Sequence, residues 1–135
     1  MNYRKYHNKK VIHEGVTFDS TKELNRYLIL RQAEEDGIIT DLKLQPEFSL
    51  LPNQYEERIK QLKTKSKTVM RIVERAVDYR ADFSYKIGDK FVVEDVKISK
   101  KLIPKEYILK RKMMLYFHGI KVRQVFDAKD KIIDE

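Results

Sequence analysis

A mixed α/β (α+β) domain, with a central mixed β-sheet flanked by helices, is the fold class the sequence predicts. Three observations carry that expectation. Two segments, near residues 20–36 and 104–118, pair a helix-start signal with a glycine stop. An alternating stretch from Val77 to Ile87 is followed by the turn Gly88-Asp89 and a second apolar run, Phe91 to Lys97. Shorter apolar runs near 38–51 and 120–126 have strand length rather than helix length. The expected order is α-β-β-β-α-β within one domain over 1–135, because a chain this long builds a single core.

Taken in order, residues 1–13 are basic and aromatic, with Tyr3, Arg4, Lys5, Tyr6, His7, Lys9 and Lys10. They read as a basic N-terminal arm or a first strand ending near Gly15. Ser20 and Glu23 have capping-box spacing, and Leu24, Tyr27, Leu28 and Arg31 recur on one helical face until Gly37 stops the helix. Ile38-Ile39 and the alternating run Leu42 to Leu51 predict one or two strands around Pro46. Residues 52–73 carry Lys60, Lys63, Lys65 and Lys67 with little apolar content, which predicts a basic exposed insertion, helical or looped. The hairpin follows, with Val77, Tyr79, Ala81, Phe83 and Tyr85 expected on one face. Pro104 opens a helix through about His118, offering Ile108, Leu109, Met113, Leu115 and Tyr116 for burial. Gly119 ends it, Ile120 to Phe126 alternates as a last strand, and residues 127–135 form an acidic tail.

Composition narrows the function classes. With no cysteine, the chain has no disulfide framework, no thiolate metal site and no cysteine nucleophile. Its three histidines, His7, His13 and His118, lack zinc-ligand spacing. No apolar stretch has bilayer-spanning length and no signal-peptide core is apparent, so a cytoplasmic protein without membrane contact is expected. A net charge of +8 points to a polyanionic partner, nucleic acid being the commonest.

The hairpin also carries the chemistry. On its returning strand Phe91, Val93, Asp95 and Lys97 share one face, and Val92, Glu94 and Val96 the other. An acid and a lysine therefore stand side by side at the end of an apolar face. Asp82, on the outgoing strand, lies opposite the apolar set and needs a twist or bulge to approach Asp95. Two converging carboxylates hold a hard divalent cation, and an adjacent lysine stabilises developing negative charge. Acid-x-Lys occurs three times, at Asp41-Leu-Lys43, Asp95-Val-Lys97 and Asp127-Ala-Lys129, but only the second follows a hairpin strand that bears an acid. An ordinary strand-end ion pair remains the competing explanation.

Ala81-Asp82-Phe83, then Asp95-Val96-Lys97 with twelve residues between Asp82 and Asp95, resembles the signature of the restriction-endonuclease-like, or PD-(D/E)xK, nuclease superfamily, with Ala in place of the loosely kept Pro. The chain is most similar there to a family of small phage and prophage proteins. That likeness runs over about residues 3–126 through Gly15 to Glu23, Leu44-Gln-Pro46, Tyr79 to Tyr85 and Val92 to Lys97. The resemblance implies a DNA endonuclease dependent on Mg²⁺ or Mn²⁺, with Asp82, Asp95 and the Val96 carbonyl as metal ligands and Lys97 as the catalytic lysine. Glu23 matches the place of an additional first-helix acid, and is also explained as half of a capping box. Glu94 is an alternative to Asp95, disfavoured by alternation. Lys100, Lys101, Lys105, Lys110, Lys112 and Lys5 suit the substrate's phosphate backbone. Gln45 and Glu47 could lie near the site or on a solvated strand edge.

The expected function is structure-selective cleavage of branched or duplex DNA, of Holliday-junction-resolvase type, in phage replication, recombination or repair, with a homodimer supplying paired nicks. Two alternatives stay open. One is a nuclease-fold DNA-binding or regulatory protein without turnover. The other is a protein-interaction module that uses the basic segment 56–71.

Overall fold

The computed structural model describes residues 9–132. The fold is mixed α+β, with ten strands, two helices and more strand than helix among the described residues. Strands β1 (Val11–His13) and β2 (Val16–Phe18) form a small hairpin, and Glu14 and Gly15, both at positive φ, make its two-residue turn. Helix α1 (Thr21–Glu35) follows. The main sheet has the order β10-β9-β8-β3, in which β8 (Phe83–Ile87) runs antiparallel to both β3 (Thr40–Leu44) and β9 (Lys90–Val96). The last strand, β10 (Arg123–Val125), runs parallel to β9. That parallel pairing requires a crossover, and helix α2 (Lys105–His118) supplies it. A second pair, β4 (Glu47–Leu51) with β7 (Val77–Arg80), continues into a two-stranded ribbon of β5 (Gln54–Gln61) and β6 (Ser66–Glu74).

The element order thus exceeds the expected α-β-β-β-α-β, for three physical reasons. The stretch 38–51 divides because Pro46 has no N–H for a ladder and Gln45 takes φ 50°. The stretch 77–87 divides beside it, and the two breaks brace one another: Gln45 N–H donates to the Asp82 carbonyl at 2.9 Å, and Ala81 N–H to the Pro46 carbonyl at 3.0 Å. Finally, residues 54–74 are neither helix nor loop. Alternation of Tyr55, Ile59, Met70 and Ile72 with charged residues sustains an exposed β-ribbon, so this segment is extended as well as basic.

Strand β9 is buried on both faces, and its alternation divides the core in two. Val93 joins Leu50, Tyr79, Ala81, Tyr107, Met114 and Val122 on the α2 side. Val92 and Val96 join Leu30, Ala33, Ile39, Phe83 and Tyr85 on the α1 side. The single apolar face expected for residues 77–85 therefore does not exist. Tyr79 and Ala81 belong to one cluster, Phe83 and Tyr85 to the other, and the series changes sides at the break around Asp82.

Helix α1 buries a face other than the one expected, and α2 buries only part of the expected set. On α1 the buried residues are Glu23, Arg26, Leu30 and Ala33, whereas Leu28 is 39% exposed. Tyr27, beside that stripe, stacks between the rings of Phe18 and Phe83 at 5.2 and 6.5 Å. On α2, Tyr107 and Met114 are buried with Ile108 and Met113 packed beside them, while Leu109, Leu115 and Tyr116 face solvent. Gly119 ends α2 at φ 67°, a left-handed cap whose N–H reaches the Leu115 carbonyl at 3.0 Å.

The α1 stripe carries two charges because Arg26 meets Glu94 across the interface. Arg26 Nε donates to Glu94 Oε1 at 2.8 Å and Nη2 to Oε2 at 2.6 Å, and both side chains are fully buried. Tyr85 Oη donates to the same carboxylate, Arg123 stands 3.6 Å away, and Arg26 Nη1 also bonds the carbonyls of Ala128 and Asp130. The start of the acidic tail is thereby tied to the domain.

Removing one partner leaves an uncompensated buried charge, whereas removing both leaves packing to be filled. Glu94→Ala is expected to lower the unfolding free energy by ~3–5 kcal/mol in urea titration. The double variant Arg26→Met, Glu94→Leu is expected to recover most of that loss. A loss in the double variant equal to the sum of the losses from Arg26→Met and Glu94→Leu alone would show that the pair is not coupled.

Candidate active-site cleft

The break at Asp82 does what strict alternation could not. Asp82 follows β7 outside any strand, its N–H donates to the Glu94 carbonyl at 3.2 Å, and its carboxylate accepts the Val96 N–H at 2.7 Å. The side chain is thus turned along β9 toward Asp95, whose charge acts on it. Alternation on β9 holds Asp95 on the α2 side and sends Glu94 into its pair with Arg26.

Glu23 enters from the first turn of α1, where it both caps and lines the cleft. Its N–H bonds Ser20 Oγ at 3.1 Å, and its carboxylate accepts the Asp19 N–H at 3.3 Å. Glu23, Asp82 and Asp95 nevertheless line one cleft of about 430 Å³, together with Lys9, Lys22, Val96 and Lys97. Lys22 closes one wall by donating to the carbonyls of Lys97 and Ile98 at 3.3 and 3.0 Å.

Asp95 is the hub. It accepts a hydrogen bond from Tyr79 Oη, and Lys97 Nζ lies 3.4 Å from the same oxygen. Lys97 Nζ also lies 3.4 Å from the centre of the Tyr107 ring, so an aromatic face and a carboxylate hold one ammonium group. Behind it, Tyr107, Tyr79 and Phe48 form a column with ring spacings of 6.3 and 6.4 Å. A shallower recess on the far side of Asp95 and Lys97 is lined by Tyr79, Tyr107 and Lys110.

Gathering carboxylates in a buried place raises their affinity for protons. Asp82 is pushed up to about 9 by burial first and by neighbouring Asp95 second, against the lowering effect of the Val96 N–H. Glu23 is raised to about 7, again by burial first, then by Asp19, with Asp95 adding to it. Burial also drives the Tyr79 hydroxyl far above its ordinary range, which keeps it a donor to Asp95.

The remaining residues singled out in the sequence are dispersed. Lys100, Lys101 and Lys105 are exposed on and after the segment leaving β9, with Lys100 Nζ 5.6 Å from the Phe126 ring centre. Lys110 pairs with Glu106 at 3.1 Å, and Lys112 lines a separate recess with Arg111 and Lys121. Lys5, Tyr3 and Tyr6 lie outside the described residues. Gln45 meets Asp82 through its backbone, whereas Glu47 is exposed on β4 opposite Arg80. The other two acid-x-Lys triplets sit apart: Asp41 and Lys43 form an exposed 4.0 Å pair at a bulge, and Asp127 opens a turn closed by Asp130. Lys22, Tyr79 and Tyr107 were not singled out as site residues from the sequence. Tyr79 had a usable signal, since it precedes Asp82 by three in the strongest strand.

Among the described residues, no three His, Cys, Asp or Glu side chains are already drawn together as a metal-binding group. The donor set is nonetheless all oxygen, from three carboxylates and a strand-end carbonyl, which suits a hard divalent cation. Asp82 and Glu23 carry protons where such a cation would compete for the same oxygens.

The raised values fix the sign of a pH dependence. Unfolded carboxyls titrate near 3.8 and 4.5, while the folded groups hold protons to about 9 and 7. The folded state therefore binds more protons between these limits, and stability falls as pH rises through that window. In EDTA the chain is expected to be more stable at pH 5 than at pH 8 by denaturant titration, and Asp82→Asn is expected to flatten the slope. A slope unchanged in Asp82→Asn would refute the assignment.

No helix among the described residues is long and apolar enough to cross a membrane. No curated protein and no solved structure matches the chain. A family model described as a protein of unknown function (DUF1064) matches residues 3–131, and the chain belongs to that family.

Proposed function

We propose that the chain is a divalent-metal-dependent DNA endonuclease of the restriction-endonuclease-like class, acting on branched or duplex DNA in phage replication, recombination or repair. The observation that carries this reading is the convergence of Glu23, Asp82, Asp95 and Lys97 on one cleft, from a helix, a strand break and a strand end. A bare ion pair at a strand end needs none of that convergence. The net charge of +8 adds the attraction for a polyanion.

In this reading Asp82, Asp95 and the Val96 carbonyl hold Mg²⁺ or Mn²⁺, with Glu23 as a further oxygen donor. When bound, the cation supplies Lewis-acid charge that polarises a phosphoryl oxygen and favours ionisation of water. Water oxygen bonds to phosphorus as the bond to the leaving sugar oxygen breaks. Lys97, held by Asp95 and the Tyr107 face, stabilises the negative charge that develops on the phosphoryl oxygens. Tyr79 orients Asp95. The proton released by the attacking water passes to bulk solvent, and a solvent water protonates the leaving sugar oxygen.

One observation favours a second reading. The Val96 N–H occupies Asp82, and Tyr79 and Lys97 occupy Asp95, an arrangement that also suits a DNA-binding protein of this fold without turnover.

Purified wild type, Asp82→Ala and Lys97→Ala separate the two when incubated with labelled junction, flap, single-stranded and duplex DNA in Mg²⁺, Mn²⁺ or EDTA. Metal-dependent cutting is expected in wild type, reduced roughly 100- to 1000-fold in Lys97→Ala and abolished in Asp82→Ala. Binding without cutting by wild type would support the second reading. Unfolding gives a readout free of turnover: cation at 100 times its Kd should add ~2.7 kcal/mol at pH 8. That gain should vanish in Asp82→Asn. The two roles of Glu23 also separate, because Ser20→Ala is expected to cost about 1 kcal/mol of stability and leave cleavage intact. Glu23→Gln is expected to impair cleavage.

A further inference from the structure

The β5–β6 ribbon has two unlike faces. Register pairs Glu56 with Arg71, Arg58 with Val69 and Lys60 with Lys67, so these six residues share one face. The other face carries Tyr55, Ile59, Met70 and Ile72, and the tip adds Lys63 and Lys65. All six cations are exposed, and among the described residues no ion pair holds any of them. Lys60 and Lys67 stand directly opposite one another, a like-charge cross-strand pair that destabilises an isolated ribbon. On that face Glu56 stands opposite Arg71, and neither Lys60 nor Lys67 has an acid directly across from it.

We propose that this face binds the sugar–phosphate backbone of double-stranded DNA, at a site separate from the cleft. Charge complementarity chooses the occupant: regularly spaced cations on a stiff strand pair match regularly spaced phosphates, and the opposed lysines are relieved by an anion between them. Dimensions agree, since a two-stranded ribbon fits the major groove. Chain continuity supplies the link to the cleft. β6 runs into β7, which carries Tyr79 and ends beside Asp82. At about 3.3 Å per residue, residues 67–82 can reach up to about 50 Å along a duplex from the cleft. The contacts are with phosphate, so binding is independent of base sequence. The proposal rests on the nuclease reading for its biological purpose and is tested apart from it.

The test measures affinity of the full chain for labelled duplex by fluorescence anisotropy in EDTA, across a salt series. The variants are Arg58→Ala/Lys60→Ala/Lys67→Ala/Arg71→Ala on one face and Tyr55→Ser/Ile59→Ser/Met70→Ser on the other, each checked for folding by circular dichroism. Loss of four phosphate contacts is expected to weaken binding by at least about tenfold at 0.1 M salt and to reduce the log–log salt slope by about 3–4. The apolar-face variant is expected to bind as wild type. Unchanged affinity and slope in the basic-face variant would overturn the proposal, as would absence of duplex binding by wild type. So would loss confined to the apolar-face variant, which would make the ribbon an interface between copies of the chain. Cleavage by wild type and Asp82→Ala, measured alongside, reports on the nuclease reading separately: a chain that binds through the ribbon and never cuts sinks that reading and leaves this one.

Discussion

The bidentate pair between Arg26 and Glu94 is the constraint on which the rest of the molecule is arranged. Two full charges without solvent are tolerated only because every neighbour serves them. Tyr85 donates to the carboxylate, Arg123 stands near it, and the carbonyls of Ala128 and Asp130 take up the remaining guanidinium hydrogens. One interaction thus fixes α1 on β9, β8 against β9, and the chain after β10 onto α1. Hydrophobic packing would hold these elements together in several registers. A planar fork facing a carboxylate holds them in one. With Arg26 fixed, Glu23 is placed one helical turn before it on the same buried stripe. With Glu94 fixed to the α1 side, Asp95 must point to the other.

A second constraint acts where the strands break. Pro46 and Asp82 lie next to each other, and the hydrogen bonds that ladders would have used are made across the two breaks instead. The break lets the apolar series change faces, so β7 packs toward α2 and β8 toward α1. It also frees a carboxylate from the alternation that would have carried it away from Asp95. A defect in the sheet is what assembles the acidic cluster. The stability lost there is met by local bonds, chiefly Asp82 to the Val96 N–H.

How much of this was legible follows from the range of each interaction. The helix limits, the Gly88-Asp89 turn and the alternation of β9 are local, and propensity and spacing reveal them. Glu23 as a cap is local too, and its Ser20 partner is three residues away. The strand-like nature of 54–74 was obscured because its apolar residues pack on nothing. A run dense in lysine reads as loop when the eye looks for a buried face. The buried stripe of α1 was misplaced for the opposite reason. Arg26 and Glu23 are polar by type, and only their distant partners make them core. Tyr107 and Leu109 show the same effect on α2, where the site's lysine, 3.4 Å above the Tyr107 ring, decides which face turns inward. The resemblance read from the motif named Asp82, Asp95, Lys97 and Glu23 together. Periodicity alone could pair only Asp95 with Lys97.

Charge distribution joins the two halves of the molecule. The chain as a whole is basic, yet one of its clefts is lined by Glu23, Asp82 and Asp95. Those two facts oppose each other only at short range. A field of cations on the ribbon and on the segment leaving β9 acts over about a Debye length and draws a polyanion to the surface. Inside the cleft, burial weakens solvent screening, and the acids dominate over a few ångströms. An anion brought to the surface is repelled at the cleft only by carboxylates that are ionised, and the proton already held by Asp82, or a divalent cation, lessens that repulsion. Under the proposed function, capture and chemistry are separable, because the residues proposed to attract DNA are not those proposed to react. Lys97 is the exception that links them: a cation placed among the acids, held by Asp95 from one side and by an aromatic face from the other. In that same proposed function, it keeps positive charge beside Asp95, where the phosphate would be placed.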